Sequence, residues 1–459
     1  MSDFVVDKGG NPGFTASFYH DSLMKRHGAD RNSPTGHFLS HMNSPIDDPQ
    51  SVRLTAKYTP RTTGQHYLGF SCLGPSKIWV EDDFIYESNA SNPDPLTFVF
   101  GNQDEIRIRY HFQAGRSYTI KVETLPIHVD AKNAPSGEHV HELLNGTLGC
   151  QIGFLEQGEM EADDISEAVE VASKADLALV FVGNTAQWEA EGKDKLTMSL
   201  PVNGSQNDFI KAVAKANPRT IVINATGHAI DVSDWLSTVS GFVQAWYAGQ
   251  ETGNSIVDVL LGDACPSGKL PISWPRLIQH TACYGHFGMD SYESKEVQYI
   301  EGINVGYRHF DSLYGTEQEV LFPFGYGLSY TTFEISDAML HGNINEDRNA
   351  IVMDVGVANT GTVAGSEVVQ IYLEAPVKPG VERPVKELVG FEKISLNVGE
   401  RQKVSVSIFD AAGAYWDEES SKWRVESGSY IFHVGTSSHP RDLKLKVQMA
   451  VSHDFAFGP

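Results

Sequence analysis

Two glutamates separated by one residue stand in the polar run Trp188-Glu189-Ala190-Glu191-Gly192-Lys193-Asp194-Lys195. Carboxylates this close can raise one another's pKa, so that one holds its proton and acts first as a general acid and then as a base. The run follows Ala178-Leu179-Val180-Phe181-Val182, a continuous apolar stretch of the buried, parallel-sheet kind. Loops at the carboxyl ends of such strands line the crevice where α/β sheets bind ligands. A solvated acidic loop would have the same local composition, so these residues alone leave both readings open.

The flanking pattern supplies the elements that would hold that loop. Asp163-Asp164 lead into Ile165–Ala175, with Lys174 near its end, which is the charge order a helix favours. Gln206–Ala216 and Gly253–Leu261 read as further helices, and Thr220–Asn224 and Phe242–Tyr247 as strands. Helix and strand in alternation mean a layered α/β sheet. Before it, short runs of strand composition recur at Phe14–Tyr19, Ser51–Tyr58, His66–Ser71, Lys77–Val80, Leu96–Phe100, Ile106–Phe112 and Tyr118–Thr124. Strands at such spacing suggest a β-sandwich. After an irregular stretch rich in Gly, Pro and aromatics over 266–330, alternation returns at Ile351–Val357, Glu367–Leu373, Lys403–Ile408, Tyr430–Val434 and Leu443–Val447. That reads as a second sandwich of about immunoglobulin size. The expected fold class is multidomain α/β plus all-β: residues 1–145 a sandwich, 146–330 an α/β layer, and 331–459 a second sandwich.

The chain has 459 residues, 41% hydrophobic and 20% charged, a globular composition large enough to bury a core without disulfides or metal. Lys+Arg is 35 against 59 Asp+Glu, a net charge of −24. That balance argues against nucleic acid or an anionic membrane surface as the main partner. Cys72, Cys150, Cys265 and Cys283 are widely spaced, with no C-x-x-C pair, so no zinc site or disulfide framework is indicated. No apolar run approaches the roughly 18 residues of a membrane span, and the first residues lack a signal-peptide pattern; a cytoplasmic location is expected. The glycines of Gly249–Gly253 are not followed by the G-K-[ST] of a phosphate loop. No cofactor or metal is expected.

From residue 183 onward the sequence resembles the C-terminal part of glycoside hydrolase family 3, the β-glucosidase family. The Trp188–Lys195 run is similar to its W-x-x-E-G-x-D-R loop, and Leu200-Pro201 and Gln206 follow at the family's distance. Further matches are Ala245-Trp246-Tyr247-Ala248-Gly249-Gln250-Glu251-Thr252-Gly253, then Gly262 with Pro266-Ser267-Gly268-Lys269-Leu270-Pro271 and Trp274-Pro275. Tyr299-Ile300-Glu301-Gly302, Val305-Gly306-Tyr307-Arg308 and Phe322 through Thr331 continue the pattern. Asn359-Thr360-Gly361, Val369-Gln370-Ile371-Tyr372 and Lys386-Glu387-Leu388-Val389-Gly390-Phe391 look like the family's fibronectin type III-like tail. The first 130 residues resemble the protective-antigen-type sandwich inserted in some members, through Lys77-Ile78-Trp79-Val80-Glu81-Asp82-Asp83 and the strand pattern.

The resemblance implies that Glu191 is the acid/base of a retaining glycosidase, with Glu189 competing for that role and Trp188, Asp194 and Lys195 at the substrate. Lys195 departs from the family's usual Arg and lacks its two-pronged planar donor. The family's aspartate nucleophile lies in an N-terminal barrel, which this sequence is expected to lack together with the first part of the α/β layer. Ser233-Asp234-Trp235 mimics the nucleophile's S-D-W triplet but falls after strand Thr220–Asn224, where Asp234 reads as a helix cap or first-turn residue. Asp82-Asp83 resembles the calcium-chelating aspartate pair of lectin relatives, but a hairpin turn with ordinary Asp chemistry is the simpler expectation. Trp188, Trp246 and Tyr247 could stack on a sugar, although Trp246 and Tyr247 suit a core equally well.

Two functions stay open. The chain completes a β-glucosidase-like hydrolase with a separate barrel chain, or it stands alone without glycosidase activity. In the second case it is a carbohydrate-binding module, or an acid/base catalyst of isomerisation or cyclisation on a small biosynthetic intermediate. The expected partners are a small-molecule or carbohydrate ligand and either a second copy of the chain or a barrel chain. A homo-oligomer would cover the edge or apolar face left by a truncated sheet.

Overall fold

The computed structural model describes residues 5–39, 44–91, 98, 105–128, 145–185, 188–189, 195, 197–201, 204–286, 297–316, 318–346 and 350–458. The chain divides into two compact units, one of residues 1–196 and 208–220, the other of residues 197–207 and 221–459.

The first unit is built on a β-sandwich. Its strands are β1 (Val5–Val6), β2 (Phe14–Tyr19), β3 (His27–Ser33), β4 (His37–Leu39), β5 (Ser51–Tyr58) and β6 (Gly64–Cys72), followed by β7 (Ser76–Val80), β8 (Asp83–Ser88), β9 (Ile106–Phe112), β10 (Tyr118–Thr124) and β11 (Gly149–Leu155). One sheet runs β3-β2-β5-β10-β7-β8 with β1 on β5, the other β4-β11-β6-β9. The period-2 pattern decides which side chains face inward. In β10, Ile120 and Val122 are buried opposite Ala56 and Leu54 of β5. Phe14, Phe18, Phe70 and Phe112 fill the same core. Phe98, the one described residue of the expected strand Leu96–Phe100, is helical instead and is buried.

Beyond the sandwich come α1 (Gln157–Met160), α2 (Asp164–Lys174) and β12 (Ala178–Gly183). Asp163 caps α2 by accepting from the Ser166 N–H at 3.1 Å, as the paired aspartates predict. Asn217 ties the end of α2 to the chain ahead of the next strand, donating to the carbonyls of Ala172 and Ala175 at 3.0 and 2.9 Å. β12 differs from the expected strand buried on both sides. Its residues alternate, with Ala178, Val180 and Val182 buried and Leu179 and Phe181 exposed at 43% and 60%. Among the described residues that second face is left partly open.

α3 (Ser205–Ala216) precedes β13 (Thr220–Ala225), and β14 (Gly241–Gln244) pairs parallel with β13, Ile221 opposite Gly241 and Asn224 opposite Gln244. β14 stops short of the expected Tyr247 because the backbone turns at Trp246, whose φ is +54°. α4 (Thr252–Leu261) ends at Gly262, whose φ of +84° is the left-handed cap that glycine adopts freely. The stretch to residue 330 is largely irregular, as its Gly, Pro and aromatic content predicts, and holds the short α5 (Tyr307–Asp311).

The remainder of the second unit is a sandwich of β15 (Phe333–His341), β16 (Ile351–Asn359), β17 (Gly365–Glu374), β18 (Glu387–Leu396) and β19 (Arg401–Ile408), then β20 (Tyr415–Asp417), β21 (Lys422–Val425), β22 (Gly428–Gly435), β23 (Leu443–Val451) and β24 (Phe455–Phe457). Its sheets run β15-β16-β19, β18-β17-β22-β23 and β20-β21-β24. Met353, Val355, Val369, Ile371, Val406, Phe432 and Val434 form its core. All five strands expected here lie within observed ones.

Candidate functional site

The loop after β12 begins with Asn184, whose Nδ2 donates to Glu189 Oε2 at 2.8 Å. A tight turn holds the next residues, the N–H groups of Trp188 and Glu189 donating to Thr185 O at 2.8 and 3.0 Å. Trp188 and Glu189 are half-buried. Lys195 is also half-buried. Burial pulls its ammonium below the usual lysine range, while the negative charge of Glu189 opposes that shift. The structure therefore brings Glu189 and Lys195 into one electrostatic environment at the end of β12. Glu191 and Asp194 lie outside the described residues.

In the second unit the carboxyl ends of β13 and β14 carry a polar network that the sequence reading missed. Buried Asn224 donates to Gln244 Oε1 at 2.6 Å and to Thr226 Oγ1 at 2.7 Å. Gln244 in turn donates to Thr226 O at 2.7 Å. Trp246 follows in a left-handed conformation, which for a bulky residue needs support from its surroundings and marks sites worth attention. Trp246 is half-buried and Tyr247 is 55% exposed, so Tyr247 is no core residue. The polar ends of two otherwise apolar strands, Asn224 and Gln244, were the signal available in the sequence.

Ser233-Asp234-Trp235 is structural. Trp235 is fully buried and donates from Nε1 to Asn207 Oδ1 at 3.2 Å. Asp234 is exposed, one residue ahead of Trp235, the N-cap of the one-turn helix Leu236–Thr238. Nearby, Asp231 accepts the Ser233 N–H at 2.9 Å. Asp82 and Asp83 sit at the β7–β8 hairpin, where Val80 pairs with Asp83. Asp83 accepts from the Tyr110 hydroxyl at 2.6 Å, and Glu81 takes the left-handed turn conformation. Among the described residues no group of three or more His, Cys, Asp or Glu is placed to hold a metal ion.

Many of the motif residues are joinery between the irregular stretch and the second sandwich. Lys269 pairs with Glu367 at 2.7 Å, Arg308 with Glu387 at 2.7 Å, and Lys386 with Asp311 at 2.6 Å. The Tyr307 hydroxyl accepts the Leu388 N–H at 2.8 Å, and Gln370 donates to Gly325 O at 3.1 Å.

Comparison with known proteins places these features in a family context. The glycosyl hydrolase family 3 C-terminal domain matches residues 97–330, a fibronectin type III-like domain matches 367–438, and a PA14 domain matches 10–134. The chain is 40% identical over 458 residues to β-glucosidase B of Emericella nidulans, covering 98% of this chain and 52% of that protein. It is 36% identical to a β-glucosidase of Kluyveromyces marxianus, covering 93% of this chain and 49% of that one. The crystal structure of a Kluyveromyces marxianus β-glucosidase superimposes with a TM-score of 0.84 at 33% identity, over 99% of this chain and 52% of that one. A second structure of that enzyme, in complex with glucose, gives 0.82. The chain thus spans about half the length of the curated relatives it matches.

Proposed function

The chain belongs to glycoside hydrolase family 3, and from that premise we propose that it carries the acid/base half of a retaining β-glucosidase site. Glu191 donates a proton to the leaving oxygen and then takes one from water. Glu189, Trp188, Asp194 and Lys195 form the rest of this loop's contribution. Retention needs a second carboxylate about 5–5.5 Å away to attack the anomeric carbon. We assign that nucleophile to a barrel polypeptide corresponding to the part of the relatives' length that this chain does not span. The domain division that goes with this reading is 1–145, 146–330 and 331–459.

The observation that carries the proposal is the loop after β12, in which Asn184 holds Glu189 at 2.8 Å and half-buried Lys195 lies in the field of Glu189. The described Glu189 and Lys195 flank Glu191 in the sequence, and the carboxyl ends of such strands are where α/β sheets take ligands. The exposed apolar face of Leu179 and Phe181 favours a polypeptide partner. The test is hydrolysis of an aryl β-glucoside by this chain alone, by a barrel polypeptide made separately from the other half of a relative, and by the two mixed. Activity only in the mixture supports the reading. No gain on mixing, although the two polypeptides co-elute in gel filtration, overturns it.

A further inference from the structure

Cys72 and Cys150 are 78 residues apart in sequence (150 − 72), and the fold makes them direct partners across β6 and β11. The adjacent pair is hydrogen-bonded, the Leu73 N–H donating to Gly149 O at 2.9 Å. Antiparallel pairs alternate, so Cys72 and Cys150 form a non-hydrogen-bonded pair, whose Cα atoms lie about 4.5 Å apart with side chains on one face. That face is the sandwich core, where Cys72 is 8% exposed and Cys150 fully buried. A disulfide needs Cα atoms about 4.4–6.8 Å apart, so the register already meets the requirement.

We propose that Cys72 and Cys150 form a dithiol site that a small-molecule disulfide converts into a reversible cross-strand disulfide, tying β11 to β6. The Cys72 thiolate attacks one sulfur of the reagent RSSR and expels RS⁻, which takes up the proton Cys72 released. The Cys150 thiolate then attacks the Cys72 sulfur and expels the second RS⁻, which takes up the Cys150 proton. Two protein thiols are oxidised and RSSR is reduced to two RSH. Burial raises both thiols above the ordinary cysteine range, and a hydrogen bond with Ser76 partly offsets this for Cys72. Cys72 is therefore the first attacker, and the reaction speeds up with rising pH. β11 leads the chain out of the sandwich to Glu156, whose carboxylate takes the Arg61 N–H at 2.6 Å. The cross-link fixes that exit.

The test treats the full chain with oxidised glutathione at alkaline pH, quenches with an alkylating agent under denaturing conditions, and maps peptides without reduction. The expected product is one species linking the Cys72 and Cys150 peptides, about 2 Da lighter than the reduced pair and restored by dithiothreitol. In a Cys265→Ser/Cys283→Ser chain, the thiols titrated in denaturant fall from two to none. Recovery of both cysteines alkylated, as separate glutathione adducts, or in any other pairing overturns the proposal.

Discussion

Lys386 Nζ lies 2.6 Å from Asp311 Oδ1, with their side chains only 5% and 0% exposed. The ammonium also faces the rings of Tyr314 and Tyr372 at 5.6 and 5.7 Å. Lys386 opens one of the family-like motifs, and its pairing with Asp311 holds α5 against the start of β18. Removing one partner leaves the other charge buried and uncompensated. Lys386→Met is expected to cost about 3–5 kcal/mol, read as a fall in the denaturant midpoint. Adding Asp311→Leu to that variant recovers much of the loss, since two apolar groups replace two buried charges.

The same carboxyl carries a pH signature. Burial raises Asp311 to about 6 against an ordinary 3.8, and the Lys386 charge only partly opposes this. As pH rises from about 4 to about 6, the unfolded chain gives up this proton while the folded chain keeps it. Stability from this residue therefore falls across that window and levels off above it. The measurement is wild-type stability minus that of Asp311→Asn against pH. The difference declines from pH 4 to 6; a flat difference contradicts the assignment.

Asp354 works in the opposite sense. Lys403 Nζ at 2.8 Å, Ser405 Oγ at 2.6 Å and His341 Nε2 at 2.9 Å surround its carboxylate. The hydrogen bond from Lys403, then that from Ser405, hold its pKa at about 2 against an ordinary 3.8. A depressed acid contributes stability above its unfolded pKa and loses it as pH falls through the folded one. Asp354→Asn should thus be less stable than wild type at neutral pH, with the gap closing as pH falls from about 4 to about 2. Parallel acid-denaturation curves for the two chains would contradict this.

Asn359 is the buried hub of the turn after β16. It donates to Val363 O at 2.8 Å and Leu396 O at 3.2 Å, and accepts from Thr331 Oγ1 at 2.6 Å and the Gly361 N–H at 3.1 Å. Asn359→Ala strands several buried polar groups at once, each costing about 1–3 kcal/mol. A loss of about 3 kcal/mol or more is expected in chemical denaturation, and a loss below about 1 kcal/mol would show that water replaces the amide.

The outline of the fold was legible because period-2 alternation survives in most strands. Phe14–Tyr19, Ser51–Tyr58, Ile106–Phe112 and Tyr118–Thr124 were readable to their ends. β3 and β11 were not. His27–Ser33 is polar and exposed, and Gly149 and Gly153 dilute β11, so pairing rather than propensity makes both into strands. β12 was misread as buried on both faces because a run of apolar residues does not say what covers it. The candidate site was legible as a loop composition and through its likeness to the family's W-x-x-E-G-x-D-R loop, but the Asn184–Glu189 contact and the Asn224–Gln244 network were not, since they depend on how the chain folds back. Cys72 and Cys150 were the extreme case, separated in sequence and opposed in register.

The division of labour between the two loop glutamates follows from what Glu189 already does. Its carboxylate accepts from Asn184 at 2.8 Å and opposes the effect of burial on Lys195, so it already has partners within the loop. A group so held is poorly suited to carry a proton back and forth. If Glu191 is the acid/base, Glu191→Gln in the barrel-complemented enzyme loses about 10²–10⁴-fold in kcat on a glucoside with a poor leaving group. The loss is much smaller on an activated aryl glucoside, whose leaving oxygen needs no proton. Glu189→Gln keeps an oxygen for Asn184 and removes only the charge beside Lys195, a change worth about fivefold at most. The inverse pattern, with Glu189→Gln the more damaging and sensitive to leaving group, would transfer the proton-donor role to Glu189.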